Sequence, residues 1–456
     1  MSYDLIVIGA GPGGYVAAIR AAQMGKKVAI VEKDSVGGTC LNRGCIPTKA
    51  LTASCDVLRN IKDSRRFGIK VDGYDIDLSK VMAHKNRTVK RLVKGINVLF
   101  KKNKIDHFQG EGKLVDKNRV AIIGDETKEI TGDYIIIATG SKARTFPNMN
   151  YDGEKILTSK EILELDHIPE SLLVVGGGVV GCEFASIFSE MGSKVTVADI
   201  MPRLIPQEDK DLSKELERHF KRARIKTRTG VAIESVKATV DGIIANLEDG
   251  STIEADLALL SLGRLPYTKG LGLEELDIEL ENGAIQVNEY LQTNVENIYA
   301  VGDVTNKVML AHVASTQGLK AVQNIFGDEK EAMEYDVIPA CIFTHPEIGS
   351  VGQTEEELKT MGIKPQVGRF NFKGNGKALT INEQNGFVKV VADVNDIIKG
   401  AQVIGPHAAD LIHELALAVE NGLTVKEVTG TIHAHPTLSE SVMEAVEDLH
   451  GLAIHK

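Results

Sequence analysis

The sequence of 456 residues lacks an excess of positive charge, because its formal net charge at pH 7 is -10. Without a basic surface, we expect neither a nucleic-acid partner nor binding to anionic membranes. The chain also lacks any run approaching the roughly 18 uninterrupted apolar residues that suggest a membrane helix. Met1 to Ala10 show no signal-peptide or transit-peptide pattern, so we expect no leader. Small molecules or another protein are the expected partners.

Cysteine is scarce, since five cysteines in so long a chain do not make a disulfide framework. An odd number argues for a reducing compartment, and we expect a cytoplasmic protein. The 43% hydrophobic and 25% charged residues are typical of a globular enzyme. The length predicts about two to four domains.

A nucleotide-binding pattern occupies residues 4–33. An apolar strand precedes Gly9, Gly11 and Gly14 in GxGxxG order, and an alanine-rich helix leads to a second apolar strand that ends at Glu32. In such a βαβ unit the first glycine permits the tight turn, the second lets a diphosphate approach the backbone, and the third lets helix pack on strand. The acid accepts from a ribose hydroxyl. An ordinary βαβ turn without ligand is the alternative, which the completeness of the pattern disfavours.

The same pattern recurs in residues 171–200, with Gly176, Gly178 and Gly181 followed by Asp199. The first glycine and the acid are 23 positions apart in both copies. We infer two dinucleotide sites, one for a permanently held flavin and one for a nicotinamide that exchanges. Asp199 favours NAD, because a carboxylate repels the 2′-phosphate of NADP. A basic residue four positions later, at 203, leaves NADP open.

The first unit is followed by GGTCLNRGCIPTK, residues 37–49, which contains Cys40 and Cys45. In an ideal helix these cysteines would lie about 7.5 Å apart along the axis and on different faces, so a disulfide needs a distorted turn. Pro47 suits the first turn of a following helix. The start of that helix, and Lys49 on the same face, would stabilise a Cys45 thiolate. Chance or metal binding is the alternative, but no second cysteine pair completes a zinc site, so we predict no metal.

The other three cysteines, Cys55, Cys182 and Cys341, lie in apolar surroundings. We expect them to be inert core thiols.

The cysteine segment resembles the active-site signature of the pyridine nucleotide-disulfide oxidoreductases, and similar motifs extend from Gly9 to Glu440. The resemblance implies an α/β fold with two Rossmann-like dinucleotide-binding domains, for FAD and for NAD, and an α+β C-terminal dimerisation domain. It divides the chain into an FAD-binding domain (1–145), an NAD-binding domain (146–270), a central segment that completes the FAD site (271–337) and an interface domain (338–456).

The resemblance also implies one tightly bound FAD per subunit, NAD+/NADH as the exchanging cofactor, and a set of contact positions. Glu183 matches the family's partner for Lys49, an ion pair beside the flavin ring, and Asp303 matches a contact to ribityl or ribose hydroxyls. The positions expected to bind the cofactors are Gly9, Gly11, Gly14, Glu32, Lys49, Gly112, Ala138, Thr139, Gly140, Asp303, Ala311, Gly176, Gly178, Gly181, Glu183, Asp199, Val231 and Gly263.

The segment HAHPTLSE, residues 433–440, is similar to the family segment that provides a catalytic histidine and glutamate. By that resemblance His435 is the general acid and base for a thiol, and Glu440 orients its ring. His345 is the competing histidine, but it lacks an acid five positions on, and the resemblance places it in an interface-domain strand. In this family the histidine reaches the cysteines of the other subunit, so we expect a homodimer.

Within the family, three features favour a member that oxidises protein-bound dihydrolipoamide to lipoamide with NAD+: Asp199, the tract MLAHVA at 309–314, and the extended match around HAHPTLSE. The lipoyl group would arrive on an acyltransferase subunit of a 2-oxoacid dehydrogenase complex or on the glycine cleavage carrier. Cys40 is expected to form the mixed disulfide, with Cys45 facing the flavin. The alternatives are a glutathione reductase-like enzyme, a flavin NADH oxidase, and a scaffold that holds FAD without turnover.

Overall fold

The computed structural model, which describes residues 1–456, begins with the predicted βαβ unit. Helix α1 starts with a proline, whose missing N–H costs nothing at that position. Ala17, Ala18 and Ala21 face inward, so the helix lies close to the sheet. The elements of this part are β1 (Ser2–Ile8), α1 (Pro12–Gln23), β2 (Val28–Glu32), α2 (Gly38–Arg43), α3 (Cys45–Asp63), α4 (Leu78–Lys102), β3 (Asp106–Gln109), β4 (Glu111–Asp116), β5 (Arg119–Ile123) and β6 (Lys128–Ile137).

A second unit follows with the same plan. Its elements are β7 (Ser141–Ala143), β8 (Ile156–Leu157), β9 (Ser171–Val175), α5 (Val179–Glu190), β10 (Lys194–Asp199), α6 (Lys210–Arg222), β11 (Lys226–Thr229), β12 (Ile233–Ala238), β13 (Ile243–Leu247), β14 (Thr252–Ala255), β15 (Leu257–Leu260) and β16 (Arg264–Pro266). Both predicted second strands therefore end at the predicted acids, Glu32 and Asp199.

The two sheets repeat one topology. The first has the parallel order β3-β2-β1-β6, and the second has the parallel order β11-β10-β9-β15. Each parallel set is accompanied by an antiparallel meander, β4-β5-β6 in the first unit and β12-β13-β14 in the second. The predicted pair of Rossmann-like units is confirmed.

The chain then returns to the first sheet. The central elements are β17 (Leu280–Glu281), β18 (Ala284–Ile285), β19 (Ile298–Ala300) and α7 (Ala311–Phe326). Strand β19 pairs in parallel with the carboxyl-terminal half of β6, and α7 packs against α1. This return is what brings Asp303, three residues after β19, to Ser141, which lies a few residues after β6. The exact domain limits stay a prediction.

The C-terminal part is an α+β unit. Its elements are β20 (Ala340–Ile342), β21 (Glu347–Gly352), α8 (Glu355–Thr360), β22 (Gln366–Asn371), α9 (Gly376–Thr380), β23 (Phe387–Ala392), β24 (Ile398–Gly405), α10 (Ala408–Glu420), α11 (Val425–Thr429) and α12 (Glu440–Glu447). The antiparallel sheet has the order β20-β21-β24-β23-β22, with α10 against β21 and β24. None of the twelve α-helices combines the length and the apolar composition needed to cross a membrane.

Candidate functional site

The two glycine loops have matching backbone geometry. Gly9 has φ +101°, and a Cβ there would lie 2.4 Å from the carbonyl oxygen of Ala138. Gly176 has φ +108°, and a Cβ there would lie 2.4 Å from the carbonyl oxygen of Ser261. Both turns exclude any side chain, which is the role that the sequence pattern assigns to the first glycine.

In each loop the third glycine is tightly packed, whereas the second glycine faces open space. A Cβ at Gly14 or Gly181 would lie 1.9 Å from the carbonyl oxygen of the first glycine, so close packing of helix on strand requires glycine. At Gly178, in contrast, no atom lies within 4 Å of an added Cβ, and at Gly11 the nearest is 4.0 Å away. Gly11 and Gly178 are also the N-caps of α1 and α5, and neither helix has a side-chain cap. Open space in front of free backbone N–H groups fits a diphosphate in both loops.

The acids that end the second strands, Glu32 and Asp199, hold these loops in place. The carboxylate of Glu32 accepts from the backbone N–H groups of Ala10 and Asp34 at 2.7 and 2.8 Å, and burial raises its pKa. Asp199 accepts in the same way from the residues at 177 and 201, at 2.5 and 2.8 Å. The sequence pattern predicts that each acid binds a ribose. In the structure each acid also accepts hydrogen bonds from backbone N–H groups and so fixes the glycine loop beside it.

The cysteine loop contains the distorted turn that a Cys40–Cys45 bond requires. Helix α2 ends one residue before Gly44, whose φ -145° and ψ -114° break the helix, and Cys45 is the first residue of α3. Cys40 is half-buried and Cys45 is exposed. Cys45 therefore lies at the positive end of a 19-residue helix, a position that stabilises a thiolate.

The two thiols share a proton unequally. A hydrogen bond from Cys40 is the main reason that the pKa of Cys45 falls to about 7, and the positive charge of Lys49 lowers it further against the opposing effect of burial. The same hydrogen bond, together with burial, raises the pKa of Cys40. With both cysteines reduced, Cys45 is the first of the two to ionise as pH rises through about 7, and Cys40 keeps its proton.

Lys49 and Glu183 meet beside this pair. The Nζ atom lies 2.8 and 2.9 Å from the two carboxylate oxygens of Glu183, which is 4% exposed. The carboxylate also accepts from the backbone N–H of Phe343 at 2.9 Å, and Lys49 Nζ lies 4.4 Å from the centre of the Phe343 ring. The first unit, the second unit and the C-terminal unit therefore join at one ion pair. The sequence analysis did not identify Phe343, which has no local signal.

Asp303 forms a second polar cluster that sequence reasoning found only in part. Ser141 donates through Oγ to the Asp303 carboxylate, and Arg264 donates to Ser141 Oγ at 2.7 Å and to its backbone oxygen at 2.9 Å. A cavity of about 390 Å³ opens here, lined among others by Thr39, Arg43, Ser141 and Arg264. Its polar lining fits the phosphates and hydroxyls of a nucleotide. Ser141 directly follows the predicted cofactor position Gly140, and Arg264 follows the predicted position Gly263, so adjacency to predicted positions was the available signal.

The remaining predicted cofactor positions have the following places. Gly112 lies in β4, where an added Cβ would meet Ile8 Cγ2 at 2.8 Å. Ala311 is the first residue of α7, which has no side-chain cap. Thr139 donates through Oγ1 to the backbone oxygen of Tyr267 at 2.7 Å. Their contacts to a cofactor stay a prediction.

The last three predicted cofactor positions are Val231, Gly140 and Gly263. Val231 donates its backbone N–H to the backbone oxygen of Asp199 at 3.3 Å, which places it beside the second loop. Gly140 and Gly263 have φ +70° and +89°, and an added Cβ at either would meet no atom within 4 Å. These positions also stay predictions as cofactor contacts.

The histidine pair forms separately. His435 Nδ1 lies 2.8 Å from Glu440 Oε1, and the other carboxylate oxygen accepts from the backbone N–H of Thr437 at 2.8 Å. Against the effect of burial, these contacts hold the pKa of Glu440 below its usual value. The His435 side chain is 76% exposed, and its hydrogen bonds do not reach the cysteine loop of its own chain.

The other cysteines and the competing histidine lack these properties. Burial raises the pKa of Cys55 to about 12 and of Cys341 to about 11, and it also raises the pKa of the fully buried Cys182. His345 lies in the turn between β20 and β21, so its expected place in a strand was wrong. Burial lowers its pKa to about 3, which leaves it too weak a base for thiol chemistry near neutral pH.

Comparisons with known proteins agree with this geometry. Residues 3–318 match the pyridine nucleotide-disulphide oxidoreductase family, and residues 338–446 match its dimerisation domain. The dihydrolipoyl dehydrogenase of Bacillus subtilis (strain 168) is 43% identical and aligns over 99% of both chains. That of Chlamydia pneumoniae is also 43% identical, over 96% of this chain and 95% of its own.

A solved structure of LpdA from Mycobacterium tuberculosis superposes with a TM-score of 0.92 at 30% identity, covering 98% of this chain and 99% of that chain. Two loops suited to dinucleotides flank one pair of reactive cysteines in a chain that also carries a dimerisation domain. The chain belongs to the pyridine nucleotide-disulphide oxidoreductases, a family that uses FAD and NAD(H).

Proposed function

We propose that the chain oxidises protein-bound dihydrolipoamide to lipoamide and passes the electrons to NAD+. The observation that carries this proposal is the Cys40–Cys45 pair, in which one thiol has a pKa of about 7 and the other keeps its proton. Relatives named dihydrolipoyl dehydrogenase that cover nearly the whole chain support the choice of substrate.

The cysteines divide the thiol chemistry. A substrate thiolate attacks Cys40 in the Cys40–Cys45 disulfide, forming a mixed disulfide and releasing Cys45 as a thiolate. The second substrate thiolate then attacks its own mixed disulfide, which forms the cyclic lipoyl disulfide and releases Cys40. The pair of electrons now resides on the reduced cysteines. The low pKa of Cys45 makes it the better leaving group.

His435 removes the protons of the substrate thiols, and Glu440 fixes the ring so that Nε2 remains the reacting atom. Because His435 is exposed and engages no atom of its own cysteine loop, the base in our proposal comes from the second subunit of a homodimer. When bound, FAD would supply the redox chemistry that links the reduced Cys40–Cys45 pair to NAD+. The side chain of Lys49 lowers the pKa of Cys45 and so favours its thiolate.

The cofactor sites in this proposal use the residues placed above. Gly9, Gly11, Gly14, Glu32 and Asp303 hold FAD, and Gly176, Gly178, Gly181 and Asp199 hold NAD(H). Arg203, the residue that left NADP open, donates to the backbone oxygens of Pro206 and Glu208 at 3.0 and 2.9 Å. Its guanidinium is therefore engaged in its own loop, which supports NAD.

The partner in this proposal is a protein that carries the lipoyl group, either an acyltransferase subunit of a 2-oxoacid dehydrogenase complex or the glycine cleavage carrier. A cytoplasmic location stays part of the proposal. The test is a steady-state comparison of dihydrolipoamide with NAD+ against oxidised glutathione with NADPH. We expect at least about 100-fold higher kcat/KM for the first pair, and preference for the second pair would overturn the substrate assignment.

A further inference from the structure

A second histidine–carboxylate pair lies two residues before His435. His433 Nε2 is 2.7 Å from Glu414 Oε1, and His433 Nδ1 is 2.9 Å from the backbone oxygen of Thr431. The His433 side chain is only 4% exposed, whereas that of His435 is 76% exposed. The reaction proposed above does not use this histidine–carboxylate pair.

We propose that His433 is a positioning residue for the reaction. Through Glu414 it fixes the histidine loop, residues 430–439, so that His435 is presented to the substrate thiols in one orientation. This inference rests on the proposed role of His435 as the base. It assigns His433 no contact with substrate or cofactor.

The carboxylate that contacts His433 belongs to a helix that is packed into the core. Glu414 belongs to α10, whose residues Leu411, Ile412, Leu415 and Ala418 are buried in the core of the C-terminal unit. The helix packs against the two strands β21 and β24. The contact between His433 and Glu414 therefore ties the histidine loop to a helix that is anchored in that core.

The other side of the loop is held independently. Asn375, which is 3% exposed, donates through Nδ2 to the backbone oxygen of Thr437 at 3.0 Å, and Thr437 donates to Glu440. The backbone N–H of His435 makes no hydrogen bond within the chain. The orientation of His435 is thus set by the anchors on its two sides. On the amino-terminal side these are His433, through Glu414, and Thr431, through the backbone oxygens of Glu427 and Val428.

The chemistry of the His433 contacts makes them strong. The backbone oxygen of Thr431 and the carboxylate of Glu414 are both acceptors, so each ring nitrogen of His433 faces an acceptor within hydrogen-bond distance. Hydrogen bonds between charged groups are about twice as strong as neutral ones. Removing the ring nitrogens would break both contacts and free the amino-terminal side of the loop.

A loose histidine loop should reduce catalysis without abolishing it. Misplacement of a reacting group by about 1 Å costs about 100-fold in rate. We expect His433→Phe, which keeps an aromatic ring but removes both ring nitrogens, to lower kcat for dihydrolipoamide oxidation by about 10- to 100-fold with KM changed by less than about 2-fold. Glu414→Gln should produce a smaller loss in the same direction.

The experiment measures dihydrolipoamide oxidation and NADH-dependent ferricyanide reduction on the FAD-loaded enzyme. Ferricyanide takes electrons without thiol proton transfer, so its rate should stay within about 2-fold of wild type in His433→Phe. The double variant His433→Phe/Glu414→Gln should be no slower than His433→Phe alone, because both changes break the same His433–Glu414 contact. Equal loss of both activities, or additive losses, would overturn the inference.

Two further variants keep the outcome interpretable. His450→Phe breaks the exposed contact of His450 with Asp396 at 3.0 Å, in the same unit but away from the histidine loop, and should leave both activities unchanged. His435→Gln tests the proposed function itself and should abolish dihydrolipoamide oxidation. Full activity of His433→Phe beside an inactive His435→Gln would overturn only the present inference. An active His435→Gln would overturn the proposed base. If His433→Phe does not fold, Glu414→Gln is the test. A lower kcat for dihydrolipoamide oxidation with an unchanged ferricyanide rate supports the inference, and an unchanged kcat overturns it.

Discussion

Lys49 and Glu183 are 134 positions apart in sequence, yet Lys49 Nζ lies within 2.9 Å of both carboxylate oxygens of Glu183. The pair connects the helix that begins with Cys45 to the helix that begins at the second glycine loop. The same carboxylate accepts from Phe343 of the C-terminal unit. One ion pair therefore fixes the cysteine helix, the helix of the second glycine loop and the C-terminal unit relative to one another.

Loss of the Glu183 carboxylate should destabilise the protein. Glu183→Ala leaves Lys49 without its partner and the Phe343 N–H without its acceptor, and we expect a loss of about 2 to 4 kcal/mol in the free energy of unfolding. Glu183→Gln keeps an acceptor for Phe343 and should lose less. Urea unfolding of both variants checks the order, and equal losses would contradict the role of the Phe343 contact.

The ionisation of Cys45 should depend on Lys49. Because the positive charge lowers the pKa of Cys45, Lys49→Met should raise the midpoint of the pH dependence of alkylation, so that less thiolate is present at pH 7. Iodoacetamide labelling of the reduced protein between pH 5 and 10, followed by peptide mass analysis, gives this midpoint. The buried Cys55 serves as the internal control and should label slowly at every pH. An unchanged midpoint would show that the ammonium group does not act on the thiolate.

Asp199 should control the choice between NAD and NADP. Asp199→Asn removes the charge that repels a 2′-phosphate while keeping an oxygen for the backbone N–H of Gly177, so we expect the ratio of kcat/KM for NAD+ over NADP+ to fall by at least about 10-fold. Glu32→Gln is the matched change in the first unit. It should weaken FAD retention on gel filtration and leave the NAD+/NADP+ ratio unchanged. A change of that ratio in Glu32→Gln would reverse the assignment of the two loops.

Local patterns in the sequence predicted the repeated parts of this site. Both glycine loops, both strand-terminal acids and the helix start at Cys45 depend on residues within about 30 positions of one another, where spacing determines geometry. The family resemblance supplied the fold class, the cofactors and the histidine pair, and the fold, the family and the use of FAD and NAD(H) are confirmed.

Long-range contacts were beyond the reach of these patterns. Ser141 and Asp303 are 162 positions apart, and Glu183 and Phe343 are 160 apart. Such contacts depend on how β19 returns to the first sheet and how the C-terminal unit packs on α5, neither of which leaves a periodic signal. His345 was misplaced for the same reason, because the short strands on either side of its turn are defined by pairing rather than by composition.

The second and third glycines of the NAD loop should fail in different ways when replaced by alanine. At Gly181 the new Cβ would lie 1.9 Å from the oxygen of Gly176, so α5 must shift, and we expect a loss of at least about 2 kcal/mol in stability. At Gly178, with φ -76° and open space, alanine fits the fold and should cost less than about 1 kcal/mol. Its methyl group would nevertheless occupy the space assigned to the diphosphate.

We therefore expect Gly178→Ala to unfold close to the wild-type midpoint while its KM for NAD+ rises by at least about 10-fold. Gly181→Ala should show the lower unfolding midpoint. Thermal unfolding of the FAD-loaded protein and NAD+ titration separate the two effects. No atom of the chain lies within 4 Å of the new methyl group, so it would obstruct only a bound ligand. Normal NAD+ affinity in a folded Gly178→Ala variant would therefore mean that the dinucleotide does not approach the backbone at this glycine.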